Sequence, residues 1–173
     1  MSKLNYLIEK GTTNDIEDIV TIFRSVSEDM TSNGINQWDE VYPTQANVVE
    51  DISNQELFLI KIDGTPIATM TLNEEQDPQY KYVHWKCRNQ KVLVIHRLAV
   101  HPKNQGQGLA KQLVSFSIDH ANTNGMRSIR LDAYAGNRRS NGLYEKLGFQ
   151  KANGYCYFRQ KPIPFYCWEY IIK

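Results

Sequence analysis

Apolar residues at Ile16, Ile19, Val20, Phe23, Val26 and Met30 recur at i, i+3, i+4 and i+7, the spacing of one buried helix face. Asn14 and Glu17 stand three apart just ahead of this stripe, so a capping box predicts a helix start near Asn14. Residues 6–9 predict a short strand before it, and the segment 34–43, which contains Gly34 and Pro43, interrupts the pattern ahead of a second helix over 44–52. Residues 56–62 and 66–72 flank Asp63-Gly64 and predict a β-hairpin. The β-branched run 92–100 predicts a central strand that Pro102 stops. Leu109, Ala110, Leu113, Val114, Phe116 and Ala121 share one face of a helix over 108–122 that Gly125 ends. A strand over 127–133, a helix over 138–147 closed by Gly148, and a strand pair over 154–159 and 165–172 complete the pattern. The order β-α-α-β-β-β-α-β-α-β-β describes a mixed α/β layer structure. Residues 73–90, with Tyr80, Tyr82, His84 and Trp85, show no period, and a connection of this length is more often functional or mobile than structural filler.

A length of 173 residues with 41% hydrophobic and 23% charged residues suits one ordinary domain spanning 1–173. No apolar run approaches the roughly 20 residues of a membrane helix, and residues 1–10 lack a signal-like apolar stretch, so a cytoplasmic protein without membrane contact is expected. Cys87, Cys156 and Cys167 form no C-x-x-C pair, so neither a disulfide framework nor a zinc module is indicated, Cys156 and Cys167 are expected core thiols, and no metal is expected. The net charge of +1 argues against a nucleic-acid partner. Residues 1–100 nevertheless carry 9 basic and 15 acidic residues, whereas residues 101–151 carry 8 and 3. Such asymmetry suits a local anionic ligand and a cationic one elsewhere, although a mixed solvated surface reads the same way.

The segment Lys103-Asn104-Gln105-Gly106-Gln107-Gly108 follows the central strand and opens onto the helix beginning Leu109-Ala110. Backbone N–H groups in such a turn converge at the positive end of the helix dipole and can bind phosphate. It carries neither G-x-G-x-x-G nor G-x-x-x-x-G-K-[ST], so it is not the loop of a dinucleotide fold or a P-loop. It resembles the [Arg/Gln]-x-x-Gly-x-[Gly/Ala] loop of the GNAT superfamily of N-acetyltransferases, with Lys103 at the first position. Downstream, Asn137-Arg138-Arg139-Ser140-Asn141-Gly142-Leu143-Tyr144-Glu145-Lys146-Leu147-Gly148-Phe149 resembles the family's N-x-x-[SA]-x-x-x-Y-E-K-x-G-F element.

The resemblance implies a single-domain fold whose mostly antiparallel mixed sheet is splayed between its middle strands and flanked by about four helices. It implies acetyl-CoA as acyl donor. The loop would hold the diphosphate, the backbone of Leu98, Ala99 and Val100 the pantetheine arm and carbonyl, and Asn137, Arg138 and Ser140 further parts of the cofactor. Tyr144 would be the general acid, since a phenol of unperturbed pKa about 10 stays protonated at neutral pH. His96, which shares strand parity with Leu98 and Val100, is a candidate base as well as a candidate structural histidine; His101 reads as a boundary residue. Trp38, Asp39, Glu40 and Tyr42 lie in the segment that forms one acceptor wall in the family. There an aromatic face beside carboxylates could seat an ammonium group, while Trp38 could equally plug the core and Asp39 cap a turn.

The function expected is acetyl transfer from acetyl-CoA to a primary amine of a small molecule, by direct transfer in a ternary complex; a homodimer is compatible with it. Two alternatives stand beside it: a catalytically silent CoA-binding sensor, and a peptide or protein N-acetyltransferase.

Overall fold

The computed structural model describes residues 6–159 and 161–173. Its secondary structure comprises β1 (Ile8–Lys10), α1 (Ile16–Ser32), α2 (Gln45–Ser53), β2 (Leu57–Ile62), β3 (Thr65–Asn73), β4 (Val92–Val100), α3 (Leu109–Thr123), β5 (Ser128–Tyr134), α4 (Arg138–Lys146), β6 (Gln150–Cys156) and β7 (Phe165–Ile171). Close contacts divide the chain into two compact, interleaved units, the first holding residues up to 29, 38–72 and 96–117 and the second holding 30–37, 73–95 and 118–173. β4 passes from the second unit into the first after Ile95.

In the first unit the entry to α1 differs from the predicted Asn14–Glu17 box. Thr12 donates its N–H and its hydroxyl to the Asp15 carboxylate, both at 2.9 Å. Asp15 is buried and paired with Lys61 at 2.9 Å, so the cap ties to β2 the 3₁₀ turn Thr13–Asp15 that leads into α1, whereas Asn14 and Glu17 are exposed. Thr44 makes the same arrangement with Asn47 at the start of α2, at 2.9 and 3.0 Å. The buried face of α1 is the predicted stripe with Ile22 added and Ile16 and Val20 only half-buried. β1 pairs antiparallel with β2 (Ile8 opposite Ile60), and β2 with β3 (Leu57 opposite Thr71) across the Asp63-Gly64 turn. β3 neighbours β4, whose end is fixed by His101 N–H bonding to Ile67 O at 2.8 Å. Leu57, Leu59, Ile60 and Met70 of the hairpin are fully buried with Leu109 and Leu113 of α3, each side chain contributing about 1.5–3 kcal/mol.

In the second unit β4 runs parallel to β5 over three pairs, Val92–Val94 with Ser128–Arg130. β7 pairs antiparallel with β5 along its whole length, from Ser128 opposite Ile171 to Tyr134 opposite Phe165, and β6 lies on the other side of β7. The last strand pair begins earlier than predicted: β6 starts at Gln150 directly after the Gly148 turn, not at Gly154. As an edge strand with mostly exposed side chains and a register slip between Lys151 and Tyr155, it lacks the apolar alternation that would announce it. The unpatterned stretch 73–90 contains a 3₁₀ turn at Pro78–Tyr82 and sends Tyr80 and Trp85 into the core beside Cys156 and Cys167. Those two cysteines are the expected core thiols, free and fully buried with their Sγ atoms 3.5 Å apart. A buried pair, Arg130 with Glu169 at 3.2 Å, holds the same stretch: Arg130 lies over the Trp85 ring and the other Glu169 oxygen accepts from Lys86 N–H at 2.7 Å. No helix among the described residues is long and apolar enough to cross a membrane.

Candidate functional site

In the first unit, the turn after β4 is built by short-range bonds that leave its tip open. His101 Nδ1 accepts from Lys103 N–H at 3.2 Å, and the N–H groups of Asn104 and Gln105 bond to His101 O and Pro102 O. His101 is thus the boundary residue expected, capping the 3₁₀ turn Pro102–Asn104. Gln105 folds its side chain back onto Val100 O at 3.2 Å. Gly106 (φ +80°) and Gly108 (φ +83°) both take the left-handed backbone that favours glycine, and a Cβ on either would meet no protein atom within 4 Å. The first hydrogen bond of α3 runs from Gln112 N–H to Gly108 O. The N–H groups of Gly106, Gln107 and Gly108, and those of Leu109, Ala110 and Lys111 in the first helical turn, have no partner among the described residues. Leu109 is buried and anchors the helix start, while Lys103 and Lys111 are exposed beside the turn. A cradle of unsatisfied donors over two Cβ-free positions, with two cations at its rim, fits a diphosphate.

Strand β4 leads into this turn through an irregularity. Arg97 has φ +50°, unusual for a residue with a side chain in mid-strand. Strict alternation is broken there, so the parity that aligned His96 with Leu98 and Val100 does not carry across Arg97. His96, Arg97, Leu98 and Val100 are half-buried and Ala99 is buried. Arg97 donates to Asp51 through Nε (3.0 Å to Oδ2) and Nη2 (2.5 Å to Oδ1, 2.7 Å to Oδ2), and through Nη1 to the Tyr42 hydroxyl at 3.0 Å. Thr71 adds a 2.7 Å bond to Asp51.

The predicted acceptor-wall residues have structural engagements. Trp38 is only 5% exposed and packs edge-on against Phe23 with centroids 5.5 Å apart. Asp39 accepts from Val41 N–H at 2.9 Å and Tyr42 N–H at 3.1 Å, tying the turn. Trp38 therefore fills the core and Asp39 caps a turn, as the alternatives had it, while Tyr42 receives Arg97 and Glu40 is exposed.

In the second unit, Asn137 is the N-cap of α4. Its Oδ1 accepts from Ser140 N–H at 3.1 Å, and its Nδ2 donates to Gln37 Oε1 at 2.9 Å. Arg138 is exposed in the first turn and Ser140 is half-buried. Asn141 fastens α4 to the sheet, accepting from Trp168 Nε1 at 2.8 Å and donating to Tyr134 O at 2.9 Å. Tyr144 is buried, with its ring 5.8 Å from that of Phe149. Burial raises its phenol well above the ordinary value, and the charge of Asp132 adds to the rise.

Asp132 is the group the motifs missed. It sits on β5 in the apolar run Ile129-Arg130-Leu131-Asp132-Ala133-Tyr134, and its Oδ2 accepts from the Tyr80 hydroxyl at 2.7 Å. Burial pushes its carboxyl up to about 6, with Asp77 adding to the rise while the Tyr80 bond and Arg159 oppose it. Burial and the Asp132 charge likewise raise Tyr80. Neither Asp132 Oδ1 nor the Tyr144 hydroxyl has a partner among the described residues, and neither counts among the buried unpaired atoms, of which Ser128 Oγ is the one case there. Both atoms therefore retain access to solvent. An isolated acid inside a β-strand was the available sequence signal.

A family model described as "Acetyltransferase (GNAT) family" matches residues 19–149. The chain belongs to the GNAT acetyltransferase family. It is 23% identical over 153 residues to the uncharacterized N-acetyltransferase YesJ of Bacillus subtilis (strain 168), covering 85% of each protein. Among solved structures, a GNAT-family acetyltransferase from Streptococcus agalactiae 2603 shares the fold with a TM-score of 0.84 at 21% identity, over 96% of this chain and 95% of that one. yncA of Salmonella typhimurium, solved with its cofactor acetyl-CoA, shares it with a TM-score of 0.72 at 16% identity, over 98% and 95%.

For this GNAT acetyltransferase the sequence-predicted residues fall into two groups. The first unit holds the loop residues Lys103 to Ala110, the strand residues Leu98, Ala99 and Val100, His96, and Trp38, Asp39 and Tyr42; the second holds Asn137, Arg138, Ser140 and Tyr144.

Proposed function

We propose that the protein transfers the acetyl group of acetyl-CoA to a primary amine on a small molecule, directly and without an acyl-enzyme. The observation that carries this reading is the donor cradle of the first unit, whose left-handed Gly106 and Gly108 leave the N–H groups of residues 106–111 without partners. Lys103 and Lys111 add positive charge at its rim, and Arg138 and Ser140 are further cofactor contacts in this reading. When bound, acetyl-CoA supplies an acetyl thioester whose carbonyl carbon an amine attacks, forming a C–N bond and breaking the C–S bond.

The chain's own task is to move two protons. Asp132 takes the proton that the attacking nitrogen must lose, because a carboxyl titrating at about 6 is ionised at neutral pH yet basic enough to accept one. Tyr80 holds it in place through the 2.7 Å bond. Tyr144 gives its phenolic proton to the departing sulfur. Its raised pKa keeps that proton on oxygen between turnovers. The two groups are linked: the Asp132 charge helps to raise the Tyr144 phenol, so protonating Asp132 makes Tyr144 the stronger acid when its proton is needed. Asp132 replaces His96 as the proposed base, since the parity that favoured His96 is broken at Arg97. Direct transfer is supported by the lack of a cysteine in either cofactor motif; of the three cysteines Cys87 is half-buried, while Cys156 and Cys167 are fully buried and the Cys167 thiol is pushed up by its bond to Cys156 and by burial.

The test is free-thiol release from acetyl-CoA across a panel of small primary amines, with intact-mass measurement of candidate peptides in parallel. Amine-dependent thiol release with an acetylated small amine supports the reading. Cofactor binding without turnover on any amine would make the protein a sensor, and acetylated peptides alone would move the acceptor to proteins.

A further inference from the structure

Arg97 is the one residue with a side chain whose backbone turns left-handed inside a named strand among the described residues, and three side chains, Asp51, Tyr42 and Thr71, are gathered around it. Left-handed backbone costs an L-residue about 1–2 kcal/mol and persists only where the surroundings over-determine it. Here they do. The guanidinium is held in a fork by both Asp51 oxygens from α2, by the Tyr42 hydroxyl from the segment before α2, and indirectly by Thr71 of β3, which donates to Asp51 at 2.7 Å. The pair is nearly closed to solvent, with side-chain exposures of 11% for Arg97 and 5% for Asp51. A buried pair of this kind is weak evidence of net stabilisation, because removing two charges from water offsets most of their attraction. Its effect is geometric: it fixes the backbone at position 97, immediately before Leu98, Ala99 and Val100.

We propose that Arg97, clamped by Asp51 and Tyr42, is a positioning residue that holds the β4 kink in the form that presents the backbone groups of residues 98–100 to the acyl end of the donor. This rests on the acetyl-CoA reading above. The clamp acts on the acyl end alone, since the glycine turn that meets the diphosphate is fixed by its own bonds through His101, Pro102 and Gln105. A useful consequence is that two affinities separate. Acetyl-CoA and CoA share the diphosphate, and they differ at the carbonyl that the clamped strand would recognise.

The experiment titrates acetyl-CoA and CoA calorimetrically into wild-type protein and into Arg97→Gly, Arg97→Lys and Tyr42→Phe variants, with melting temperatures recorded without ligand. Arg97→Gly is the informative change, because glycine adopts φ +50° freely while the clamp is lost. Wild type is expected to prefer acetyl-CoA over CoA by about 3- to 10-fold, the worth of one well-placed hydrogen bond. Arg97→Gly should lose that preference through a raised acetyl-CoA Kd with the CoA Kd unchanged, Tyr42→Phe should lose part of it, and Arg97→Lys, which cannot fork, should behave as Arg97→Gly. Should Arg97→Gly fail to fold, Tyr42→Phe, which removes the hydroxyl that Arg97 donates to at a half-buried position, carries the test. A retained preference in the folded variants, an equal loss for both ligands, or no preference in wild type overturns the proposal. A wild type that binds neither ligand overturns the acetyl-CoA reading itself.

Discussion

Replacing Gly108 with alanine separates the ligand role of the turn from its conformational role. At φ +83° a Cβ costs about 1–2 kcal/mol, and no protein atom lies within 4 Å to add a clash. For a chain of this size each kcal/mol lowers Tm by about 2–4 °C, so the variant should melt about 2–8 °C lower and remain folded. The hairpin turn supplies a matched control: Gly64 has φ +79° and equally open surroundings. Gly64→Ala therefore carries the same backbone penalty at a place with no role in binding. In Gly108→Ala the methyl group enters the space above the unpartnered N–H groups, and relief of strain turns those groups away. Losing one hydrogen bond to a charged phosphate costs about 1.5–3 kcal/mol, or roughly 10- to 100-fold in Kd. Calorimetric titration of acetyl-CoA into both variants should show that increase for Gly108→Ala and an unchanged Kd for Gly64→Ala, at similar melting temperatures. Equal Kd values in the two variants would refute the assignment of this turn to the diphosphate.

Tyr144→Phe keeps the ring against Phe149 and removes the proton, so kcat should fall about 100-fold with the acetyl-CoA Kd unchanged, measured by steady-state kinetics and titration. For Asp132 the sign follows from a carboxyl raised from 3.8 to about 6: the protonated form favours the fold, and that advantage is lost as pH rises from about 4 through 6. Wild-type kcat/KM should therefore climb through about pH 6 and level above it. Asp132→Asn should abolish that rise together with most activity, and it should melt higher than wild type at pH 8; His96→Ala should keep the rise. Asn137→Ala removes the cap of α4 and should cost about 1 kcal/mol, seen as a Tm lower by about 2–4 °C, with Asn137→Ser restoring most of it.

The parts of the fold that were legible in the sequence are those where local chemistry decides. The Asp63-Gly64 pair announces its hairpin because a two-residue turn demands left-handed backbone, and both residues have it at φ +50° and +79°. The bounds of β4 match expectation because β-branched residues crowd it and Pro102 cannot extend it. The entry to α1 is ambiguous in the sequence because two candidate pairs, Asn14–Glu17 and Thr12–Asp15, stand side by side. The choice between them is made by Lys61, some fifty residues away in sequence. The start of β6 at Gln150 is not announced because an edge strand with exposed side chains carries no alternation.

The same distinction holds for the candidate site. The glycine turn was visible because its geometry is written in adjacent residues. Asp132 is less visible, since it stands out through its bond to Tyr80, which the chain brings back from fifty residues earlier. Trp38 and Asp39 show the converse: an aromatic beside a carboxylate reads as a ligand surface, yet Phe23 and the turn amides occupy both side chains.

The most direct measurement follows an isotopic label in the acetyl carbonyl of acetyl-CoA during turnover with the best amine of the panel, analysing amine, acetate and intact protein by mass spectrometry. The expected result is label in the acetylated amine in proportion to thiol released, with the protein unmodified throughout. Label accumulating on the protein, or leaving only as free acetate, would contradict direct transfer to an amine.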